Sequence, residues 1–95
     1  MTSKMIGERL EDRRKRLLYR SIHTGMKETD LLLGGFARRH LPTFSDRQLE
    51  LYEQILKAGD PRIYAWLSGA EAVPPAWDSD VMKLLLKFKL HPVSR

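Results

Sequence analysis

FSDRQLELYEQILKAG, residues 44–59, contains a complete helix with both ends specified. Ser45 is an N-cap residue with Gln48 three positions on, the pair that forms a capping box, and Phe44 is spaced to staple onto Leu49. Leu49, Tyr52, Ile55 and Leu56 recur at steps of three and four, so they share one apolar face. Gly59 closes the segment. No run elsewhere sustains two-residue alternation, and the segments between the Gly and Pro residues carry the same helical period. The fold class read from this pattern is all-α, a compact bundle of five short helices.

Downstream, Asp60-Pro61 predicts a fourth helix with Asp60 as N-cap and Pro61 in the first position, where its missing N–H is no loss. Ile63, Tyr64, Trp66 and Leu67 supply its apolar content before Gly69. After Pro74-Pro75, Trp77, Asp78 and Met82 repeat the staple-and-cap arrangement, with Asp78 as the cap. Val81, Leu84, Leu85 and Phe88 form the inward face of a fifth helix that His91-Pro92 ends. Trp66 and Trp77 are expected in the core rather than around a ligand.

Upstream, residues 27–40 place Leu32, Leu33, Phe36 and Ala37 on one face, with Gly34 and Gly35 inside the helix. Each glycine costs about 1 kcal/mol relative to alanine there, which close packing of another helix would offset. Leu41-Pro42 is expected to end this segment, because the residue before proline is pushed from the α region. The first helix, residues 8–22, turns Leu10, Leu17, Leu18 and Ile22 to the core and stops at Thr24-Gly25, where Gly25 is free to take a positive φ.

A chain of 95 residues suits a single domain, residues 1–95, with its core at about residues 8–90 and mobile termini. Its 42% hydrophobic and 31% charged content is that of a folded protein. The absence of cysteine excludes disulfides, thiolate metal sites and thiol nucleophiles. No apolar run reaches the roughly 20 residues of a membrane span. Glu8, Glu11 and Asp12 interrupt the basic N-terminal stretch and no apolar signal core follows, so the expected location is the cytoplasm, as for a bacterial-type chain without a targeting peptide. Much of the +5 net charge comes from Arg13, Arg14, Lys15 and Arg16. Such a run is usually a solvated helix face. The alternative is a nucleic-acid-binding regulator that uses this run and Arg38-Arg39.

The reactive residues do not converge. His23, His40 and His91 lie at separate segment ends with no HExxH pattern, so no metal site is expected. Ser21, Ser45, Ser68, Ser79 and Ser94 lack a GxSxG turn, and Gly34-Gly35 has no phosphate-loop spacing. Glu28 and Asp30, two residues apart, point to different faces and would more usually oppose the positive end of the helix dipole. The chain is therefore expected to have no catalytic centre and to act through a partner protein.

HTGMKETD, residues 23–30, joins a glycine break, a methionine and two acids. A purely structural reading makes Gly25 the cap, tucks Met26 under the helical hairpin and sets Glu28 and Asp30 against the dipole. The other reading is a surface offered to a partner.

Followed by DLLLGGFA at residues 30–37, this stretch resembles the RGMxExD signature of the small FAD assembly factors of succinate dehydrogenase, the SdhE type. RRKRLLYRS at residues 13–21 and GDPRIYAWL at residues 59–67 also match in kind and order, and the resemblance covers about residues 13–90. It implies a five-helix bundle and a non-catalytic assembly factor, or chaperone. Such a factor binds the flavoprotein subunit of succinate dehydrogenase, with that of fumarate reductase as a second client, and promotes flavinylation, the covalent attachment of FAD to a histidine of that subunit. FAD is then the partner's cofactor, none being tightly bound here, and the factor is a monomer without membrane insertion. The signature glycine and acid carry over to Gly25 and Glu28, with Met26 and Asp30 beside them. Thr24 stands where the signature has arginine, with His23 before it, and threonine cannot supply a guanidinium. Arg20, one turn earlier, completes the expected partner-binding set of Arg20, His23, Thr24, Gly25, Met26, Glu28 and Asp30. An antitoxin-like or scaffold role, a label also given to members of this family, is the remaining alternative.

Overall fold

Five α-helices make up the computed structural model, which describes residues 8–90: α1 (Leu10–Ile22), α2 (Lys27–His40), α3 (Asp46–Lys57), α4 (Asp60–Ser68) and α5 (Asp80–Leu90). Single 3-10 turns at Leu41–Thr43 and Pro75–Trp77 join α2 to α3 and lead into α5. The all-α reading holds, with no strand among the described residues. The end expected at His91-Pro92 and the termini expected to be mobile lie outside the described residues.

The helix read first organises the core. Gln48 N–H donates to Ser45 Oγ at 3.2 Å and Ser45 N–H to Gln48 Oε1 at 3.0 Å, closing the capping box. Leu49, Tyr52, Ile55 and Leu56 are all buried, with Phe44 beneath them in the same cluster. Burying a polar phenol calls for a partner, and Ser21 supplies it from α1. Its hydroxyl donates to Leu17 O at 2.7 Å and lies 2.6 Å from Tyr52 Oη, so the tyrosine donates to it. Burial pushes the Tyr52 hydroxyl's pKa upward.

The two glycines of α2 are places of close approach. A Cβ on Gly34 would stand 2.8 Å from Ile22 Cγ2 of α1, and one on Gly35 would stand 3.3 Å from Phe88 Cζ of α5. Glycine here lets α1 and α5 seat directly on the α2 backbone.

Four expectations need correction. Leu10 is exposed at 37%, because it opens α1 among Arg9, Glu11 and Arg14 rather than under another helix. Leu41-Pro42 does close α2, whose last residue is His40, but Leu41 keeps α-region angles (φ −56°, ψ −37°) despite the following proline. Its side chain is buried and Arg14 Nε donates to its carbonyl at 2.8 Å, which together hold the turn. The N-cap of α4 is Gly59, at φ +99°, and Asp60 is the first helical residue, since the first helical bond runs from Ile63 N–H to Gly59 O. Ser79, rather than Asp78, caps α5. Its Oγ accepts from Met82 N–H at 3.2 Å and its carbonyl from Lys83 N–H at 2.9 Å.

Candidate functional site

The α1–α2 junction is built by short-range bonds around one open glycine. At the end of α1, His23 N–H donates to Arg20 O at 3.3 Å, and the His23 ring stacks on Tyr19 with centroids 4.1 Å apart. Gly25 follows at φ +102°, a value L side chains rarely adopt, and it is exposed. Met26 is the extended N-cap residue of α2 and gives that helix no side-chain cap. Asp30, in the fourth position of α2, instead reaches back over the junction. Its Oδ1 accepts from Thr24 N–H at 2.7 Å and from the Thr24 hydroxyl. That hydroxyl first, and the backbone N–H next, hold the Asp30 carboxyl below the usual carboxylate range.

Thr24, standing where the resembling signature has arginine, is thus a strap across residues 24–30. Asp30 is half-buried and turned onto the loop, Met26 is half-buried with its sulfur 4.0 Å from the buried Thr29 hydroxyl, and Glu28 and His23 are exposed. The two acids of α2 diverge as their spacing predicts.

A residue outside the expected set completes the arrangement. Asp60, opening α4, brings Oδ2 to 3.4 Å from where a Gly25 Cβ would be. It is half-buried, and burial first, then the charge of Asp30, pushes its carboxyl above the usual range, while the Arg20 charge opposes them. Arg20 is therefore within electrostatic reach of this corner, though no acid among the described residues lies within 4 Å of it. The structure so gathers Arg20, Thr24, Gly25, Asp30 and Asp60 from three helices and a loop. The GDPRIYAWL match contained the signal for Asp60, but its value as a helix-start residue gave it a sufficient local explanation.

The family model described as the flavinator of succinate dehydrogenase matches residues 15–89. The chain belongs to this flavinator family. Among its relatives, succinate dehydrogenase assembly factor 2-B, mitochondrial, of Drosophila mojavensis is 42% identical over 86 residues, covering 88% of this chain and 53% of the relative. Succinate dehydrogenase assembly factor 2, mitochondrial, of Meyerozyma guilliermondii is 41% identical over 88 residues, covering 88% of this chain and 65% of the relative. The chain spans about half to two-thirds of the length of these relatives. Every residue of the corner lies within the matched stretch of the flavinator family.

In this flavinator-family chain Lys15 and Arg16 of the basic run are exposed, Arg13 and Arg14 are half-buried, and most of the run is tied into the fold. Arg13 pairs with Glu50 at 3.0 Å and Glu53 at 3.5 Å, and Arg16 with Glu53 and Glu8 at 2.9 Å each. Arg14 donates to Leu41 O and Phe44 O, both at 2.8 Å. Three of the four cations therefore tie α1 to α3 and the turn before it, and Lys15 stays exposed. The hydrogen bond from Arg16 holds the Glu53 carboxyl below the usual range. No helix among the described residues is long and apolar enough to cross a membrane.

Proposed function

We propose that this chain is a non-catalytic assembly factor that binds the flavoprotein subunit of succinate dehydrogenase and promotes covalent attachment of FAD to it, with the fumarate reductase flavoprotein as a second client. Membership in the flavinator family supports this reading of the enzyme served. The observation that carries the site assignment is Gly25, exposed at φ +102° on a junction strapped by Thr24 and Asp30. A backbone without a side chain there lets the partner's chain approach closely. Glu28, exposed in the first turn of α2, offers a carboxylate to a partner donor, with His23, Met26 and Arg20 around the contact.

Binding energy used in this way positions the partner's own reacting groups, an effect that can lower a barrier by several kcal/mol without an added acid or base. FAD stays the partner's cofactor, and the bond to it forms on a partner histidine. The factor works as a monomer beside its client, and the relatives compared above are mitochondrial by name. Because Arg13, Arg14 and Arg16 are engaged internally, the nucleic-acid reading gains no support.

The test is reconstitution. Purified flavoprotein subunit carrying FAD not yet covalently bound is incubated with and without this chain, and in-gel flavin fluorescence follows attachment. Faster attachment with the chain is expected. Equal rates at saturating chain would overturn the proposal.

A further inference from the structure

We propose that Asp60 is the anchor of the docking corner, its carboxylate receiving a cationic side chain of the partner that passes over Gly25. This rests on the docking proposed above and names the chemistry that the partner must bring.

The geometry is specific to this acid. Asp60 arrives on α4, from a segment 35 residues after Gly25 in the sequence, and its Oδ2 is separated from the Gly25 Cα only by the space a Cβ would fill. The two acids at the corner are in different states. Asp30 is engaged by the N–H and hydroxyl of Thr24. Asp60 has neither a hydrogen-bond donor nor an ion-pair partner among the described residues, yet it is half-buried. The charged groups acting on it are Asp30 of α2 and Arg20 of α1, and Arg20 stands beyond ion-pair distance. Burial without a donor also pushes its proton affinity up.

A partner that closes over Gly25 removes the remaining water from this carboxylate. Desolvating an ionised group without supplying a donor is strongly unfavourable. The partner surface must therefore carry a donor at this point, and a guanidinium or ammonium meets it best, because the carboxylates of Asp60 and Asp30 together outweigh the single charge of Arg20. Thr24 adds no guanidinium of its own here, so Arg20, beyond ion-pair distance, is the one local cation among the described residues acting on Asp60.

The experiment measures affinity for the FAD-loaded flavoprotein subunit with wild type, Asp60→Asn and Gly25→Arg, each checked by thermal melting. Losing one charge-assisted hydrogen bond weakens binding about 10- to 100-fold, and that is expected for Asp60→Asn. Its melting temperature should stay within about 4 °C of wild type, because the favourable helix-dipole effect of an acid in the first turn is opposed by its burial and by Asp30. Wild-type binding should weaken as pH falls through the carboxylate range, and Asp60→Asn should lose that part of the dependence. If Gly25→Arg abolishes binding while Asp60→Asn binds like wild type, the anchor is overturned and the docking site stands. A melting temperature that falls sharply together with affinity would also overturn it, by making Asp60 a structural group. If neither substitution changes binding, the docking reading itself fails.

Discussion

Alanine at Gly34 sets two effects of known sign against each other. Replacing a mid-helix glycine should by itself stabilise α2 by about 1 kcal/mol. The new Cβ, however, would lie 2.8 Å from Ile22 Cγ2, where carbon atoms normally rest at about 3.5–4.0 Å. Arg38 Nη1, at 3.4 Å, is the end of a flexible chain and can swing away. Ile22 cannot, because its β-branched χ1 is stiff in a helix, so relief requires α1 and α2 to separate. Overpacking of this kind costs about 1–3 kcal/mol, which leaves Gly34→Ala destabilised by about 1 kcal/mol net, or roughly 4–8 °C in melting temperature for a domain this small. Ile22→Ala removes the offending methyl. In that background Gly34→Ala should show its propensity gain of about 1 kcal/mol, giving a coupling of about 2 kcal/mol between the two sites. Urea and thermal melts of the four proteins measure this cycle. A Gly34→Ala single variant stabilised by about 1 kcal/mol would refute the close approach of α1 to α2.

Tyr52→Phe removes the donor to Ser21 but leaves Ser21 bonded to Leu17 O. It should therefore cost only about 0.5–1.5 kcal/mol in urea unfolding, and a loss beyond 3 kcal/mol would mean that the phenol holds more than this bond. Thr24→Val takes away the hydroxyl that contributes most to lowering the Asp30 pKa. A carboxyl depressed in the folded state stabilises above its unfolded pKa, and that stabilisation is lost as pH falls through the folded value. In Thr24→Val the Asp30 carboxyl should thus titrate closer to the usual range by NMR, and less stability should be lost on acidification. An unchanged Asp30 titration would show that the strap is not what lowers it.

Features encoded within a few residues were legible in the sequence, whereas features that depend on distant segments were not. Ser45 and Gln48 specify their own hydrogen bonds, so the α3 start could be read directly. Gly34 and Gly35 announced a close approach because nothing else offsets two glycines in a helix, although which helices approach appears only in space. The caps of α4 and α5 each lie one residue from the position the sequence favours, since Gly59 and Asp60, or Asp78 and Ser79, compete locally and only the first i to i+4 bond decides. The charge run at Arg13, Arg14, Lys15 and Arg16 looked like surface because its partners, Glu50 and Glu53, lie about 40 positions later. Within the candidate site, Gly25 announced its positive φ, while Asp60 was hidden behind its own role at a helix start. In sequence Thr24 shows only the loss of an arginine, because its role as a strap to Asp30 depends on how the junction folds back on itself.

On the function proposed above, an open backbone at Gly25 is the contact through which the flavoprotein is held for flavinylation. Covalent FAD incorporation into the flavoprotein subunit, measured as an initial rate by in-gel fluorescence, tests this with Gly25→Ala and Gly25→Arg side by side. Both variants carry the backbone strain of a side chain at φ +102°, of order 1–3 kcal/mol, so both must first be shown to be folded by circular dichroism. Alanine adds one methyl, 3.4 Å from Asp60 Oδ2, and should keep part of the activity. Arginine fills the approach path and should reduce incorporation to the level seen without the chain. A folded Gly25→Arg protein that supports the wild-type rate would contradict the account.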